Sequence, residues 1–340
     1  MQERKLAVGR PTTIKSSFWK NRPVLITGVT GFAGSALAAR LVSLKAHVVG
    51  LAKENPNGST FNRLGLRRQV RCVWARLEDA PALEHAVRRH AVQIVYHLGA
   101  QAIVGLANRS PLPTFTANVQ GTWNLLEACR GKKSIRAVVV ASSDKAYGSH
   151  KKLPYREEFP LQPQYPYDVS KACADLIARS YFHTYGLPVV VTRFANLYGP
   201  GDLNFSRIVP ESVRSILSGK HPVIRSDGTP ERDYLYIDDA IDLYLLLAER
   251  IQKTRGQVFN AGNSRPISVS RLVTLLLRLA GRPDLKPRIL GKGTPHGEID
   301  RQWLDGGKAH RLLGWRPKIG LEEGLGKALA WYRDRLPARP

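Results

Sequence analysis

Along the first two hundred or so residues, short apolar runs alternate with stretches whose apolar positions recur at helical spacing. Val24 to Thr27, Val48 to Leu51, Val70 to Trp74, Ile94 to His97, Ala137 to Ser142 and Val189 to Phe194 are dense in valine and isoleucine. Runs this short and this apolar predict strands buried on both faces. Between them, Ala36, Leu37, Leu41 and Leu44 mark one helical stripe, and Leu83 to Arg89, Phe115 to Cys129 and Tyr167 to Tyr185 read as further helices. Lys53 to Arg68 is polar and predicts a loop carrying a short helix. The alternation implies an α/β fold: a parallel sheet with helices on both faces, binding its ligands at the carboxyl ends of the strands. Past Gly199 the rhythm breaks. Helices are expected over Ile208 to Leu217, Asp239 to Arg250, Val269 to Ala280 and Leu321 to Arg333, separated by short strands near Val223 and Val258. This part predicts a smaller α/β domain over the sheet edge.

Composition narrows the class. Of 340 residues, 43% are apolar and 23% charged, which fits a globular chain and excludes general disorder. Lysine and arginine number 52 against 27 acids, a net charge of +25. Such an excess draws anions of any kind. The arginines are scattered from Arg4 to Arg339 without a dense run, so nucleic acid is not the expected partner. Three widely spaced cysteines, Cys72, Cys129 and Cys173, match no zinc spacing and no disulfide framework, and buried thiols are expected. No stretch is long and apolar enough for a membrane span, and Met1 to Asn21 lacks the apolar core of a secretory signal, so a cytoplasmic protein is expected.

Gly28, Gly31 and Gly34 follow the first strand and open the first helix. The first glycine permits a tight turn, the second lets backbone approach a pyrophosphate, and the third allows helix and strand to pack closely. Strand, triplet and helix in that order predict a dinucleotide site. The second strand ends at Leu51, Ala52 and Lys53, with Glu54 displaced by a residue or two from the place for reading ribose hydroxyls. Lys53 could instead pair with a 2′-phosphate, so NAD is preferred and NADP stays open. The expected division is a basic N-terminal extension over 1–21, packing partly through Phe18 and Trp19, then a dinucleotide-binding domain over 22–199 to which 233–262 contribute. Residues 200–334 form mainly a substrate-binding domain, and 335–340 a tail.

Tyr167 and Lys171 stand four apart on a predicted helix and so share a face. A lysine ammonium beside a phenol is expected to lower its pKa and let it take a proton from a hydroxyl as hydride leaves the adjoining carbon. The strand before this helix ends in Ser142, Ser143, Asp144 and Lys145.

Taken together, GVTGFAG, HLGAQAIV, NVQGTWNLLEACR, SSDKAYG, YDVSK, RFANLYGPGD and RDYLYIDD resemble the extended short-chain dehydrogenase/reductase family, which includes NAD-dependent sugar-nucleotide epimerases and dehydratases. The resemblance runs from Pro23 to Tyr332 and implies a Rossmann-type sheet, a bound nicotinamide cofactor, a nucleotide-sugar substrate and a homodimer pairing through the helices at Phe115–Cys129 and Tyr167–Tyr185. SSDKAYG, with an acid after the serine, is similar to the hexose 4,6-dehydratases, and Asp-Lys with Gln101 leans toward the branch acting on CDP-glucose. That reading gives a 4-keto-6-deoxy sugar as product. A 4-epimerase, which would not use Asp144, and a non-catalytic dinucleotide-binding protein are the alternatives.

The resemblance also implies roles. Tyr167, Lys171 and Ser143 would act at the sugar C4 position. Asp144 would protonate the departing C6 hydroxyl or merely orient it. Lys145 would remove the C5 proton, steady an enolate, or form a structural ion pair. Phe32, Ala52, Leu77, Leu98, Ala100 and Gln101 would join the three glycines and Lys53 around the cofactor, with Asn118 fixing backbone near the active helix. Asn196, Arg207 and Arg232 would meet the substrate diphosphate, unless the arginines pair with Asp233, Asp238 or Asp239. His97 is read as structural or cofactor-facing. Asp305 and Lys308 resemble a segment closing toward the nucleotide. Arg76 departs from the pattern: relatives commonly have an aspartate there for the adenine edge, and arginine cannot accept that hydrogen bond.

Overall fold

The structure, a computed structural model, describes residues 13–294 and 297–335. Seven strands form its central sheet: β1 (Pro23–Thr27), β2 (His47–Ala52), β3 (Arg71–Trp74), β4 (Ile94–His97), β5 (Ala137–Ala141), β6 (Val189–Phe194) and β7 (Val258–Ala261). Their order is β7-β6-β5-β4-β1-β2-β3, and every neighbouring pair is parallel. The chain starts in the middle at β1, winds outward to β3, then crosses to β4 and winds the other way. That reversal opens a crevice above β1 and β4.

Successive side chains of these strands serve opposite faces. Val24, Ile26, Tyr96, Val139 and Val190 enter one core, with Leu37 and Leu41 of the helix Phe32–Ser43 and the apolar helix Ile237–Glu249. Leu25, Val95, Val138, Val140 and Val191 enter the other, with Leu83 and Val87 of Ala80–Arg89 and Leu125 and Leu126 of Gly121–Cys129. Each fully buried Val, Leu or Ile contributes about 1.5–3 kcal/mol of transfer free energy. Sandwiched burial is why the strands read as unbroken apolar runs.

The predicted strand near Val258 is β7, the sheet's edge beyond β6. The predicted single helix Phe115–Cys129 is interrupted. Helices Val104–Arg109 and Pro111–Phe115 precede a wider π turn, Thr116–Gln120, and only then does Gly121–Cys129 continue as an α-helix. Pro111 begins one of these pieces, where its missing N–H costs nothing. Trp19 is fully buried and Phe18 partly so, while residues 1–12 of the expected extension and 336–340 of the expected tail lie outside the described residues. Cys129 is buried as expected, but Cys72, on the edge strand β3, and Cys173 are only partly covered.

Past β6 the chain builds three small sheets. Asn196–Tyr198 pairs with Tyr234–Tyr236. Glu231–Arg232 pairs with both Ile267–Ser268 and Arg301–Gln302. Val223–Ile224 pairs with Arg288–Ile289. The second of these places Arg232 opposite Gln302, and both face the end of β5. Among the described residues no helix is long and apolar enough to cross a membrane.

Candidate active site

Gly28 has φ +69°, and a Cβ there would fall 2.7 Å from Gly99 Cα. A Cβ on Gly34 would fall 2.1 Å from the Gly28 carbonyl oxygen. Both glycines are therefore required by the protein's own backbone. Gly31 is different: a Cβ there would meet only Gly28 O, at 3.2 Å. Its bareness keeps clear the mouth of the helix Phe32–Ser43, whose N-terminus no side chain caps. Free N–H groups and the positive end of the helix dipole suit a pyrophosphate at that spot. The residues present thus fit a dinucleotide. Ala52 closes β2, buried, and Lys53 is exposed and paired with Glu54 at 3.2 Å. Arg76 is also exposed, 3.8 Å from Glu78, while Leu77 packs under Gly121.

Leu98, Ala100 and Gln101 form the loop after β4. Gln101 spends its side chain on this loop: Nε2 donates to Ile103 O and Thr114 Oγ1, and Oε1 accepts from Ile103 N. Asn118, in the π turn, accepts from Gln101 N at 2.7 Å and donates to Gln101 O and to Ser170 Oγ. Ser170 in turn donates to the Tyr167 carbonyl. Widening the helix at Asn118 thereby ties the cofactor loop to the first turn of the Tyr167 helix, Pro166–Tyr185. His97 is buried between Thr27 Oγ1 at 2.8 Å and Thr122 Oγ1 at 3.0 Å. Thr122 donates to Asn118 O, so it accepts from His97 Nε2, and the imidazole is neutral. Burial, then the nearby Lys171, hold its pKa down at about 3. It is a structural bridge from β1 and β4 to the Asn118 helix.

A second anchor holds the Tyr167 helix from below. Asp175 on that helix accepts from Arg193 Nε at 2.7 Å and Nη2 at 3.1 Å, both side chains lying inside the core.

Ser143, Asp144 and Lys145 leave β5 in a short 3₁₀ turn that Ser143 caps. Ser143 Oγ donates to Asp144 Oδ1 at 3.0 Å, and Gln302 Nε2 donates to Asp144 Oδ2 at 2.6 Å. Burial raises the Asp144 pKa against the pull of Lys145. Lys145 Nζ pairs with Glu298 at 2.8 Å, and Arg232 stands 3.6 Å from the same carboxylate. Arg207 pairs with Asp202 at 3.0 Å. The two arginines therefore have acidic partners, but not the aspartates 233, 238 or 239 expected from sequence proximity. Asn196 Nδ2 donates to Asp233 O beside Arg232.

Tyr167 departs from expectation. Burial pushes its phenol up to about 12, with Arg207 and the Ser143 hydroxyl pulling the other way. Lys171 is not the group that tunes it: its Nζ donates to the Ala141 carbonyl at 2.8 Å, and burial lowers it to about 8. A lysine turned toward the end of β5 lends the phenol little stabilisation. Lys308 likewise binds inside the protein, donating to Val258 O on β7.

One charged residue in this cluster escaped the sequence reading. Asp168 is 1% exposed, and neither carboxylate oxygen has a hydrogen-bond partner among the described residues. The charges that act on it are Lys145, Glu298, Asp144 and Arg232. The only local signal was an acid directly after the tyrosine, which reads equally well as a solvated first-turn residue.

A doubly wound parallel sheet with a glycine turn at β1 and a serine, tyrosine and lysine around the end of β5 defines a nicotinamide-type oxidoreductase scaffold. Residues 24–262 match the NAD dependent epimerase/dehydratase family, and the chain belongs to it. The chain is 31% identical to the CDP-glucose 4,6-dehydratase of Salmonella typhimurium over 337 residues, covering 94% of this chain and 93% of that one. Among solved structures it resembles UDP-glucose 4-epimerase of Thermotoga maritima with UDP-glucose (TM-score 0.85, 30% identity, 92% and 99% coverage). It is similar also to dTDP-glucose 4,6-dehydratase of Bacillus anthracis in complex with NAD (TM-score 0.83, 28% identity, 92% and 97% coverage). The chain is thus an NAD-dependent nucleotide-sugar-modifying enzyme of the epimerase/dehydratase kind.

Proposed function

We propose that the enzyme is a nucleotide-hexose 4,6-dehydratase that converts CDP-glucose to CDP-4-keto-6-deoxyglucose and uses NAD. The observation that carries this reading is Asp144: a buried acid, fixed by Ser143 and Gln302, directly after the serine that contacts Tyr167. An epimerase inverts C4 and has no hydroxyl to expel, so it needs no such acid. The similarity to the Salmonella CDP-glucose dehydratase supports the choice of substrate. Residues 22–199, with 233–262, are read as the cofactor-binding part, and 200–334 mainly as the sugar-nucleotide part.

Gly28, Gly31, Gly34 and the Phe32 helix would hold the pyrophosphate, with Leu98, Ala100 and Gln101 along one side and Lys171 near the ribose. When bound, NAD supplies reversible hydride uptake from the sugar and a positive ring that favours a phenolate nearby. Tyr167 takes the proton of the C4 hydroxyl, and Ser143 hydrogen-bonds the same oxygen. The resulting ketone acidifies the C5 proton. Asp144, whose pKa burial raises, is the acid that gives a proton to the departing C6 hydroxyl, which leaves as water. Lys145, ion-paired to Glu298, offers positive charge to the enolate oxygen. Arg232, Arg207 and Asn196 would take the diphosphate.

Incubation with CDP-, dTDP-, GDP- and UDP-glucose, with NAD and with NADP, should yield a 4-keto-6-deoxy product from CDP-glucose with NAD. Formation of the C4 epimer alone would overturn the reading in favour of a 4-epimerase, which the likeness to the Thermotoga epimerase makes the second choice. A homodimer is also proposed, since Trp123 and Leu176 leave apolar surface exposed on the two helices expected to pair.

A further inference from the structure

Abstraction of the C5 proton needs a base with a lone pair facing the sugar, and the acids around the end of β5 differ in what they have left to offer. Asp144 has both oxygens engaged, one by Ser143 and one by Gln302. Glu298 is held by the Lys145 ammonium at 2.8 Å, with Arg232 close behind at 3.6 Å. Lys145 is the mirror image of that pair: an ion-paired ammonium has no lone pair with which to take a proton. Among the described residues, Asp168 alone of these groups is buried with two unpartnered oxygens, and Gln302 Oε1 beside Asp144 is a third unpartnered acceptor. Buried carboxylate oxygens without a donor are costly, and proteins retain them where a ligand or a chemical step needs them.

Position supports the same conclusion. Asp168 lies in the first turn of the Tyr167 helix, one residue on. A step of one residue turns the side chain about 100° around the axis. Tyr167 is acted on by Arg207, Asp144, Asp168 and Ser143, and Asp168 by Lys145, Glu298, Asp144 and Arg232, so the two share Asp144 and differ in the rest. Phenol and carboxyl thus belong to one pocket but address different parts of it. Tyr155 also feels Asp168, from the segment that packs beneath.

Resting on the dehydratase reading above, the geometry points to Asp168 as the catalytic residue that carries the C5 proton. In the forward step the Asp168 carboxylate takes the proton from C5. The electron pair of the broken C5–H bond forms a C4–C5 enolate, whose oxygen meets the Lys145 ammonium. Expulsion of the C6 hydroxyl consumes the Asp144 proton and releases water. When hydride then returns to C6 of the resulting 5,6-ene, the Asp168 carboxylic acid, its proton exchanged with solvent, protonates C5, so the residue ends as it began. Burial, offset in part by Lys145 and Arg232 and reinforced by Glu298 and Asp144, pushes the Asp168 carboxyl up to about 7. A carboxyl so poised can both accept and return a proton near neutrality.

The test is turnover of CDP-glucose by the NAD-loaded enzyme in D₂O, comparing wild type with Asp168→Asn. The wild type should place deuterium at C5 of the 4-keto-6-deoxy product. The variant should lose C5 exchange by roughly 100-fold or more, while oxidation at C4, read as the absorbance of reduced nicotinamide on mixing with substrate, persists. Separately, the infrared spectrum of the free protein should show a buried carboxylic-acid carbonyl band that fades as pH rises through about 7 and is missing from Asp168→Asn. Exchange in the variant at the wild-type rate, an unchanged infrared band, or equal loss of the C4 and C5 steps would overturn the assignment. If the wild type itself returned only the C4 epimer without C5 deuterium, the dehydratase reading would have failed and the assignment with it.

Discussion

Replacing Asp175 by asparagine should be the most damaging conservative change beneath the active site. Asp175 and Arg193 are 0% and 1% exposed and joined by two hydrogen bonds of 2.7 and 3.1 Å. Asparagine keeps the shape but removes the charge. The guanidinium then stays in the core with the Tyr147 ring 4.6 Å from its centre and a weak 3.4 Å contact to Glu157 O. Removing one partner of a buried pair typically costs about 3–5 kcal/mol, because the remaining charge is uncompensated. An amide oxygen turned toward Nε would save one hydrogen bond, so the lower end, about 3 kcal/mol, is expected. Urea unfolding followed by tryptophan fluorescence reads this as a lowered midpoint at unchanged slope. The double variant Asp175→Leu/Arg193→Met removes both charges and should recover most of the loss, since apolar replacement of a buried pair is often close to neutral. A cost below about 1 kcal/mol for Asp175→Asn, or a double variant no better than the single, would refute the argument that the pair matters through its buried charge.

Other outcomes follow from the same geometry. Gly34→Ala, whose methyl would sit 2.1 Å from a backbone oxygen, should weaken NAD binding at least tenfold and cost about 1–3 kcal/mol of stability; unchanged affinity in a fluorescence titration would count against the tight turn. His97 is held near 3 when folded and returns to about 6.5 when unfolded, so between those values the unfolded chain binds more protons and stability falls as pH falls, by up to about 1.4 kcal/mol per pH unit. His97→Gln should flatten that slope by about one proton relative to wild type, and parallel curves would remove His97 as its source. Leu176→Asp, at a side chain 53% exposed on the Tyr167 helix, should convert a dimer to a monomer in sedimentation velocity; an unaltered dimer would place the interface elsewhere.

The cofactor half was legible in the sequence because its signals are local. A strand, a glycine turn and a helix follow one another within about twenty residues, and the apolar period of each strand is set by its own burial. The catalytic segment was half legible. Ser143, Tyr167 and Lys171 sit in recognisable surroundings, but what tunes them does not. The partners of Asp144 and Lys145 are Gln302 and Glu298, 158 and 153 residues away, and no local pattern announces them. Lys171 turns to Ala141 O for a similar reason: a carbonyl on a neighbouring strand outcompetes a phenol one turn away. The broken helix at 104–129 was hidden because apolar spacing runs on through the π turn, and only the hydrogen bonds of Asn118 show why the turn widens.

The little three-stranded sheet that joins Glu231–Arg232 to Arg301–Gln302 has a consequence for how this scaffold can be modified. It delivers Arg232, Glu298 and Gln302 to the reacting region on a piece of backbone that shares no strand with the cofactor sheet. The roof of the chamber and its floor are therefore separable inheritances. Grafting a different 297–304 segment onto an unaltered floor would exchange the groups that hold Lys145 and Asp144 while the glycine turn at β1 stays as it is.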